Sequence, residues 1–224
     1  MQPRPSVIVF DVNETLSDMA PLARRFADVG APELLANVWF ASLLRDGFAL
    51  AATGGKQTFT RLARSGLRTV LADAALNQPS DDAVSHVLSG STELAIHPDV
   101  PAGVRILREH GLRLVTLSNG SADVAARLLT KAGIRSEFEH LLSVDDAEAW
   151  KPARVAYTHA ARACSARTGQ MLLVAAHSWD IHGAHQAGLQ TGWITRRPAP
   201  YPDYFAAPDL QAPDLVTLTR QIVS

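Results

Sequence analysis

Five short stretches of the chain are dominated by apolar residues: Val7 to Phe10, Leu114 to Leu117, Leu141 to Val144, Leu172 to Ala175 and Gly192 to Thr195. None alternates polar with apolar, which is how strands buried on both faces read. Helical patterns lie between them, after Gly120, after Lys151 and after His182, and further helices are expected over Val100 to His110 and Leu215 to Val223. The alternation predicts an α/β fold, a doubly wound parallel sheet. The rhythm fails between Ser17 and Ile96, where Leu22, Phe26 and Val29, then Leu34, Leu35, Val38, Trp39 and Leu43, fall at helical spacing with no convincing strand. That segment, residues 17–96, reads as a helical cap inserted into a core made of residues 1–16 and 97–224. The tract from Arg196 to Pro213, rich in Pro, Tyr and Asp, reads as an ordered surface loop.

At 224 residues and 47% hydrophobic content the chain can bury one core that carries such an insertion. The formal net charge of −1 provides no basic field, so neither nucleic acid nor an anionic membrane is an expected partner, whereas a small anion needs only local positive charge. The single cysteine, Cys164, sits in an alanine-rich stretch and reads as a packed thiol. No signal-peptide pattern opens the chain and no apolar run approaches a membrane span, so a cytoplasmic location is expected.

Chemistry gathers where predicted strands end. Asp11 follows the first apolar run, and in an open α/β sheet that tip opens into the ligand crevice. An aspartate there could equally cap a turn, so the other strand tips decide the matter. Ser118, Asn119 and Gly120 follow the second strand, with two hydrogen-bonding side chains and a glycine that lets backbone approach an anion. Lys151 precedes Pro152, where a fixed ammonium could neutralise clustered carboxylates. His177, Trp179 and Asp180 leave the strand that starts at Leu172.

On these residues the chain resembles the haloacid dehalogenase superfamily and, within it, the type II (S)-2-haloacid dehalogenases. It carries Asp-x-x-x-Thr (Asp11, Thr15), Leu-Ser-Asn-Gly (Leu117 to Gly120), Lys-Pro with a tyrosine six residues past the lysine (Lys151, Pro152, Tyr157), and Trp-Asp followed by Gly-Ala (Trp179, Asp180, Gly183, Ala184). The resemblance implies a Rossmann-like core with a helical cap. It also implies hydrolysis of a small 2-haloacid, a haloacetate or (S)-2-haloalkanoate, to the 2-hydroxy acid through an aspartyl ester on Asp11, with no cofactor. Lys151 and Asp180 would complete the catalytic group. Thr15, Trp39, Ser118, Asn119 and Tyr157 would bind the substrate, a small carboxylic acid, and many relatives form homodimers.

Asn13 bears on the choice of reaction. The superfamily's phosphatases place an acid there to protonate a departing alkoxide, and an amide has no proton to give, whereas a halide leaves without one. Asp11 and Asp180 could still supply two oxygen ligands, so a phosphatase remains an alternative, as do hydrolysis of another activated small acid and a non-catalytic anion-binding protein on the same fold. The chain also departs from the family pattern. Trp39 is followed by Phe40 and Ala41 where an arginine usually holds the halide, with Arg45 one turn later. Glu14 and His177 stand where glycine and asparagine are usual. Strands carrying these two motifs are neighbours in this fold, so a Glu14–His177 hydrogen bond is expected, making His177 a candidate base for ester hydrolysis; a packed histidine with Glu14 facing solvent is the alternative. His182 and His185 share a helix face, but no cysteine or acidic partner except Asp180 completes a metal site, and none is expected.

Overall fold

The computed structural model describes residues 4–224; residues 1–3, assigned above to the core, lie outside the described residues. The elements in chain order are β1 (Val7–Phe10), β2 (Ser17–Asp18), α1 (Leu22–Asp28), α2 (Leu35–Ala52), α3 (Phe59–Val70), α4 (Ser80–Gly90), β3 (Ala95–Ile96), α5 (Val100–Glu109), β4 (Arg113–Ser118), α6 (Ala122–Lys131), β5 (His140–Ser143), α7 (Arg154–Ala163), β6 (Met171–Ala175), α8 (Ser178–Gln186), β7 (Gln190–Ile194), β8 (Leu210–Ala212) and α9 (Leu215–Val223). Six strands form one sheet in the order β5-β4-β1-β6-β7-β8, every pairing parallel. The chain divides into two compact units: residues up to Ser17 with Ala95–Ser224, and Asp18–Leu94, where the sequence suggested 17–96.

The sheet positions the site through its register. Phe10 pairs with Thr116 of β4 on one side and Val174 of β6 on the other. The residues that follow, Asp11, Ser118 with Asn119, and His177, therefore emerge at the same end of three adjacent strands. β1 is the strand on either side of which the connection order reverses, the switch point at which ligands bind in open α/β sheets. Beneath it Ile8, Phe10, Val104, Leu107, Leu114, Leu172, Val174, Leu215 and Leu218 are buried in one cluster. Asp214 caps α9 by accepting from Thr217 N at 2.8 Å, and Gly103 of α5 leaves room for Leu215, whose Cγ would lie 2.4 Å from an added Cβ.

Within the inserted unit, Leu22, Phe26, Trp39, Leu43, Ala63 and Leu67 are buried. Trp39 stacks at a tilt on Phe26, ring centroids 6.2 Å apart, and its indole N–H donates to Ala63 O at 2.9 Å. Arg45 is exposed and pairs with Asp46 at 2.8 Å.

One sequence expectation changes. β8 lies inside the tract read as loop: only Ala212 of its three residues is buried, so no apolar run announced it, and it is held by its ladder to β7 and by Asp209, which accepts from Thr191 N and Oγ1 at 2.8 and 2.9 Å. His182 is committed to that tract, accepting from Ala206 N at 3.1 Å and stacking on Phe205. Among the described residues no group of His, Cys, Asp and Glu could hold a metal ion, and no helix is long and apolar enough to cross a membrane. Cys164 is buried, and burial raises its thiol pKa.

Candidate active site

Asp11 is 4% exposed at the tip of β1. Its Oδ2 accepts from Thr15 Oγ1 at 2.6 Å, and that hydroxyl in turn accepts from Ala176 N at 2.9 Å, so its proton is directed to the carboxylate. Its Oδ1 accepts from Lys151 Nζ at 2.9 Å. Burial alone would raise the pKa of Asp11. The Lys151 ammonium outweighs it, with the hydrogen bonds and charge of His177 and the Thr15 hydroxyl adding to the same effect, and holds the carboxyl well below its usual range. It is therefore an anion at any physiological pH, shielded from water, which suits a nucleophile.

Lys151 is fully buried and bridges two carboxylates, its Nζ also donating to Asp180 Oδ2 at 2.6 Å. Burial opposes its charge, but Asp11 and Asp180 together raise its pKa above the ordinary lysine value. For Asp180, burial pushes the pKa up, Lys151 draws it back and Asp11 adds to the rise, leaving it above the usual range. Two residues expected to touch substrate make hydrogen bonds to this bridge. Asn119 Nδ2 donates to Lys151 O at 3.2 Å while its Oδ1 accepts from Lys151 N at 3.0 Å, which clamps the lysine's backbone from both sides. Tyr157 has no exposure and donates to Asp180 Oδ1 at 2.6 Å. Trp39 likewise has its polar group occupied, inside the inserted unit. Ser118, also buried, accepts from Gly120 N at 2.9 Å through Oγ and retains its own hydroxyl proton.

The Gly-Ala pair after Asp180 has a steric reason. A Cβ on Gly183 would lie 2.6 Å from both Tyr157 Oη and Pro152 Cβ, so α8 approaches the Lys151–Pro152 turn only because position 183 has no side chain. Gly183→Ala is expected to lower stability by about 1–3 kcal/mol through overpacking and to reduce turnover by displacing Tyr157 from Asp180. Denaturant unfolding together with steady-state kinetics checks both effects; unchanged turnover would remove Tyr157 from the positioning role.

His177 lies between two carboxylates. Nε2 is 2.9 Å from Glu14 Oε2, the contact expected from the sequence, and Nδ1 is 3.3 Å from Asp11 Oδ2, which was not foreseen. Burial would favour the neutral ring. The hydrogen bonds to Asp11 and Glu14, and their charges, reverse this and raise the pKa of His177 to about 9. A carboxylate offers only acceptors, so a ring bonded to one at each nitrogen carries both protons. With a carboxylate beside each nitrogen, the charged form of the His177 ring is favoured in the free protein.

Glu14 has φ 58°, in the left-handed region where a residue other than glycine is strained, and there glycine is the usual residue of the resembled family. Sequence reasoning missed the arginine beside it. Arg197 Nη2 donates to Glu14 Oε1 at 2.7 Å, and Arg196 holds Thr15 O at 2.9 Å while forming a two-pronged pair with Asp99 at 2.8 and 2.9 Å. The available signal was a basic pair just past the C-terminal end of β7, the end that carries the site. A cleft of about 320 Å³ lined by Glu14, His177, Trp179, Trp193, Arg196 and Arg197 opens beside the pair. Trp179 stacks on His177 with ring centroids 5.1 Å apart. The cluster thus sets three carboxylates, Asp11, Glu14 and Asp180, against three cations, Lys151, His177 and Arg197.

Known proteins resemble this chain in sequence and in fold. Residues 5–188 match the family described as haloacid dehalogenase-like hydrolase. The chain is 37% identical over 125 residues to haloacetate dehalogenase H-2 of Moraxella sp. (strain B), a match that covers 56% of each chain. It is 28% identical over 211 residues to (S)-2-haloacid dehalogenase H-109 of Pseudomonas putida, with 93% of each chain covered. A crystal structure of an L-2-haloacid dehalogenase superposes with a TM-score of 0.91 at 28% identity, covering 99% of this chain and 100% of that one. With the family's matching stretch running from before β1 through α8, past the tips of β1, β4 and β6 and past Lys151, this chain belongs to the haloacid dehalogenase-like hydrolases.

Proposed function

We propose that this protein hydrolyses the carbon–halogen bond of a small 2-haloacid, a haloacetate or an (S)-2-haloalkanoate, through an ester on Asp11. The observation that carries the reading is the buried, ionised Asp11 held by Lys151 with Asn13, an amide, two residues on. In the first step a carboxylate oxygen of Asp11 attacks C2 in line with the carbon–halogen bond; the electron pair of that bond leaves on the halide and an ester remains. In the second, water adds to Cγ and gives one proton to Asp180, whose raised proton affinity suits it to this role. The Cγ–O bond to the product then breaks, the departing oxygen takes the proton from Asp180, and Asp11 loses the last proton to solvent. Ser118 contributes a hydroxyl proton for the substrate carboxylate, and Lys151 keeps Asp11 ionised.

A halide-release assay over haloacetates and both 2-chloropropionate enantiomers, with and without chelator, tests this. Release from haloacetate or the (S)-enantiomer that survives excess chelator is expected, since the Lys151 ammonium already lies between Asp11 and Asp180. Phosphate release from an aryl phosphate that is lost on chelation and restored by Mg²⁺ would favour a phosphatase instead.

A further inference from the structure

We propose that His177 acts in this reaction as a hydrogen-bond donor and not as a base: kept as an imidazolium, it and Thr15 hold the oxyanion that forms on Asp11 Oδ2 when water attacks the ester. The inference rests on the ester reading given above and assigns the two oxygens of Asp11 different tasks. Oδ2 receives two donors, the Thr15 hydroxyl at 2.6 Å and His177 Nδ1 at 3.3 Å, whereas Oδ1 receives Lys151 at 2.9 Å. The oxygen with two donors is the less nucleophilic, so Oδ1 attacks C2 and becomes the ester oxygen, and Oδ2 becomes the ester carbonyl.

The charge on Oδ2 then changes in a definite order. It is negative in the resting carboxylate, lost in the ester, and negative again when the water oxygen adds to Cγ. Donors already placed around a charged Oδ2 favour the tetrahedral state over the neutral ester without reorganising, which is the condition for speeding that step. The same donors stabilise the resting carboxylate and so slow the first step, which makes hydrolysis the beneficiary. At 3.3 Å the Nδ1 contact is long for a hydrogen bond, as such contacts are before a reacting complex forms. After the ester forms, Nε2–H remains on Glu14 at 2.9 Å, and Glu14 is itself fixed by Arg197 at 2.7 Å. The ring therefore retains one anionic partner through the cycle. The charged groups that face it are Asp11 from the end of β1, Glu14 from the loop after it and, through these, Lys151 and Arg197; Trp179 covers the ring face and Asp180 follows on the same helix. No proton leaves His177 in this scheme, so the balance of the second step is unchanged: Asp180 receives the water's proton and passes it to the product oxygen.

A donor and a base give opposite results in one experiment. The rate of ester hydrolysis is followed from pH 6 to 10 by intact-protein mass after rapid alkylation with a haloacetate, in wild type, His177→Ala and His177→Gln. For a donor, His177→Ala slows hydrolysis by about 10²–10³-fold, and His177→Gln, which keeps an N–H but no base, recovers at least about tenfold of that loss. The ratio of wild-type to His177→Ala rates then falls as pH rises and the ring loses its proton. A ratio that climbs with pH, with glutamine no better than alanine, would identify a base and overturn the proposal. Ring ¹⁵N shifts provide a readout that needs no variant: both nitrogens should be protonated in the resting enzyme at pH 7, and a neutral ring would overturn it too. If no protein shows an alkylated form while halide is still released, the ester reading itself fails, and this inference with it.

Discussion

Replacing Asp11 with asparagine is expected to lower halide release by roughly 10⁴-fold or more, because no other group at the site can form the ester. The variant should remain folded. Lys151 keeps Asp180 at 2.6 Å and His177 keeps Glu14 at 2.9 Å, so neither buried cation is left without an anion. Circular dichroism separates this loss of chemistry from a loss of structure. The same nucleophile makes an isotopic prediction for the wild type. In a single turnover in ¹⁸O-water with enzyme in excess, the heavy oxygen should enter Asp11 and the hydroxy acid should carry an oxygen that Asp11 gave up. Label found at once in the hydroxy acid would mean that water attacks C2 directly.

Lys151→Met should be the most destabilising substitution at the site. It removes the ammonium that lies between Asp11 and Asp180 at 2.9 and 2.6 Å, in a place with no solvent to replace it, and breaking a buried pair by deleting one partner costs about 3–5 kcal/mol. Burial then sets the proton affinity of Asp11, whose pKa rises, so that the nucleophile is protonated and turnover is lost. The pH dependence follows from the sign. In the wild type the depressed Asp11 pKa contributes stability above the unfolded value of 3.8, and that contribution is lost as pH falls. In the variant the carboxyl pKa values rise instead, favouring the folded state at acid pH, so the deficit against wild type should shrink as pH is lowered. Urea unfolding at pH 5 and pH 7.5 measures it. Adding Asp180→Asn to Lys151→Met should return part of the stability and none of the activity, because it removes one of the two stranded charges and leaves Asp11 without its cation. A deficit that grows toward acid pH would show that Lys151 acts through something other than these two carboxylates.

The contrast between what the chain announces and what the fold adds runs through particular residues. The central strands were legible because a parallel strand covered on both faces must be apolar throughout, and the tips of β1, β4 and β6 were legible as sites because polar groups follow those runs abruptly. Strand β8 was not, since an edge strand with one buried residue carries no such signature. The same division holds within the site. That Asp11, Lys151, His177 and Asp180 would meet followed from their places after strands and at helix starts. Which hydrogen bonds each would make did not, because a side chain near a crevice has several neighbours within reach, and only the packed structure chooses among them. Asn119 and Tyr157, expected at the substrate, hydrogen-bond to Lys151 and Asp180, and Arg197, invisible as a site residue in a loop, pairs with Glu14. His177 shows the difference most sharply. Its sequence position implied one carboxylate partner, which would raise the basicity of the free nitrogen and make a base. The tertiary structure places a second carboxylate beside that nitrogen, and an anion at each end favours the doubly protonated ring. The chain by itself determined the fold and the meeting of Asp11 with its cation Lys151, since these depend on local pattern and strand order; the partners of His177 depend on distances across neighbouring strands, which only the folded sheet sets.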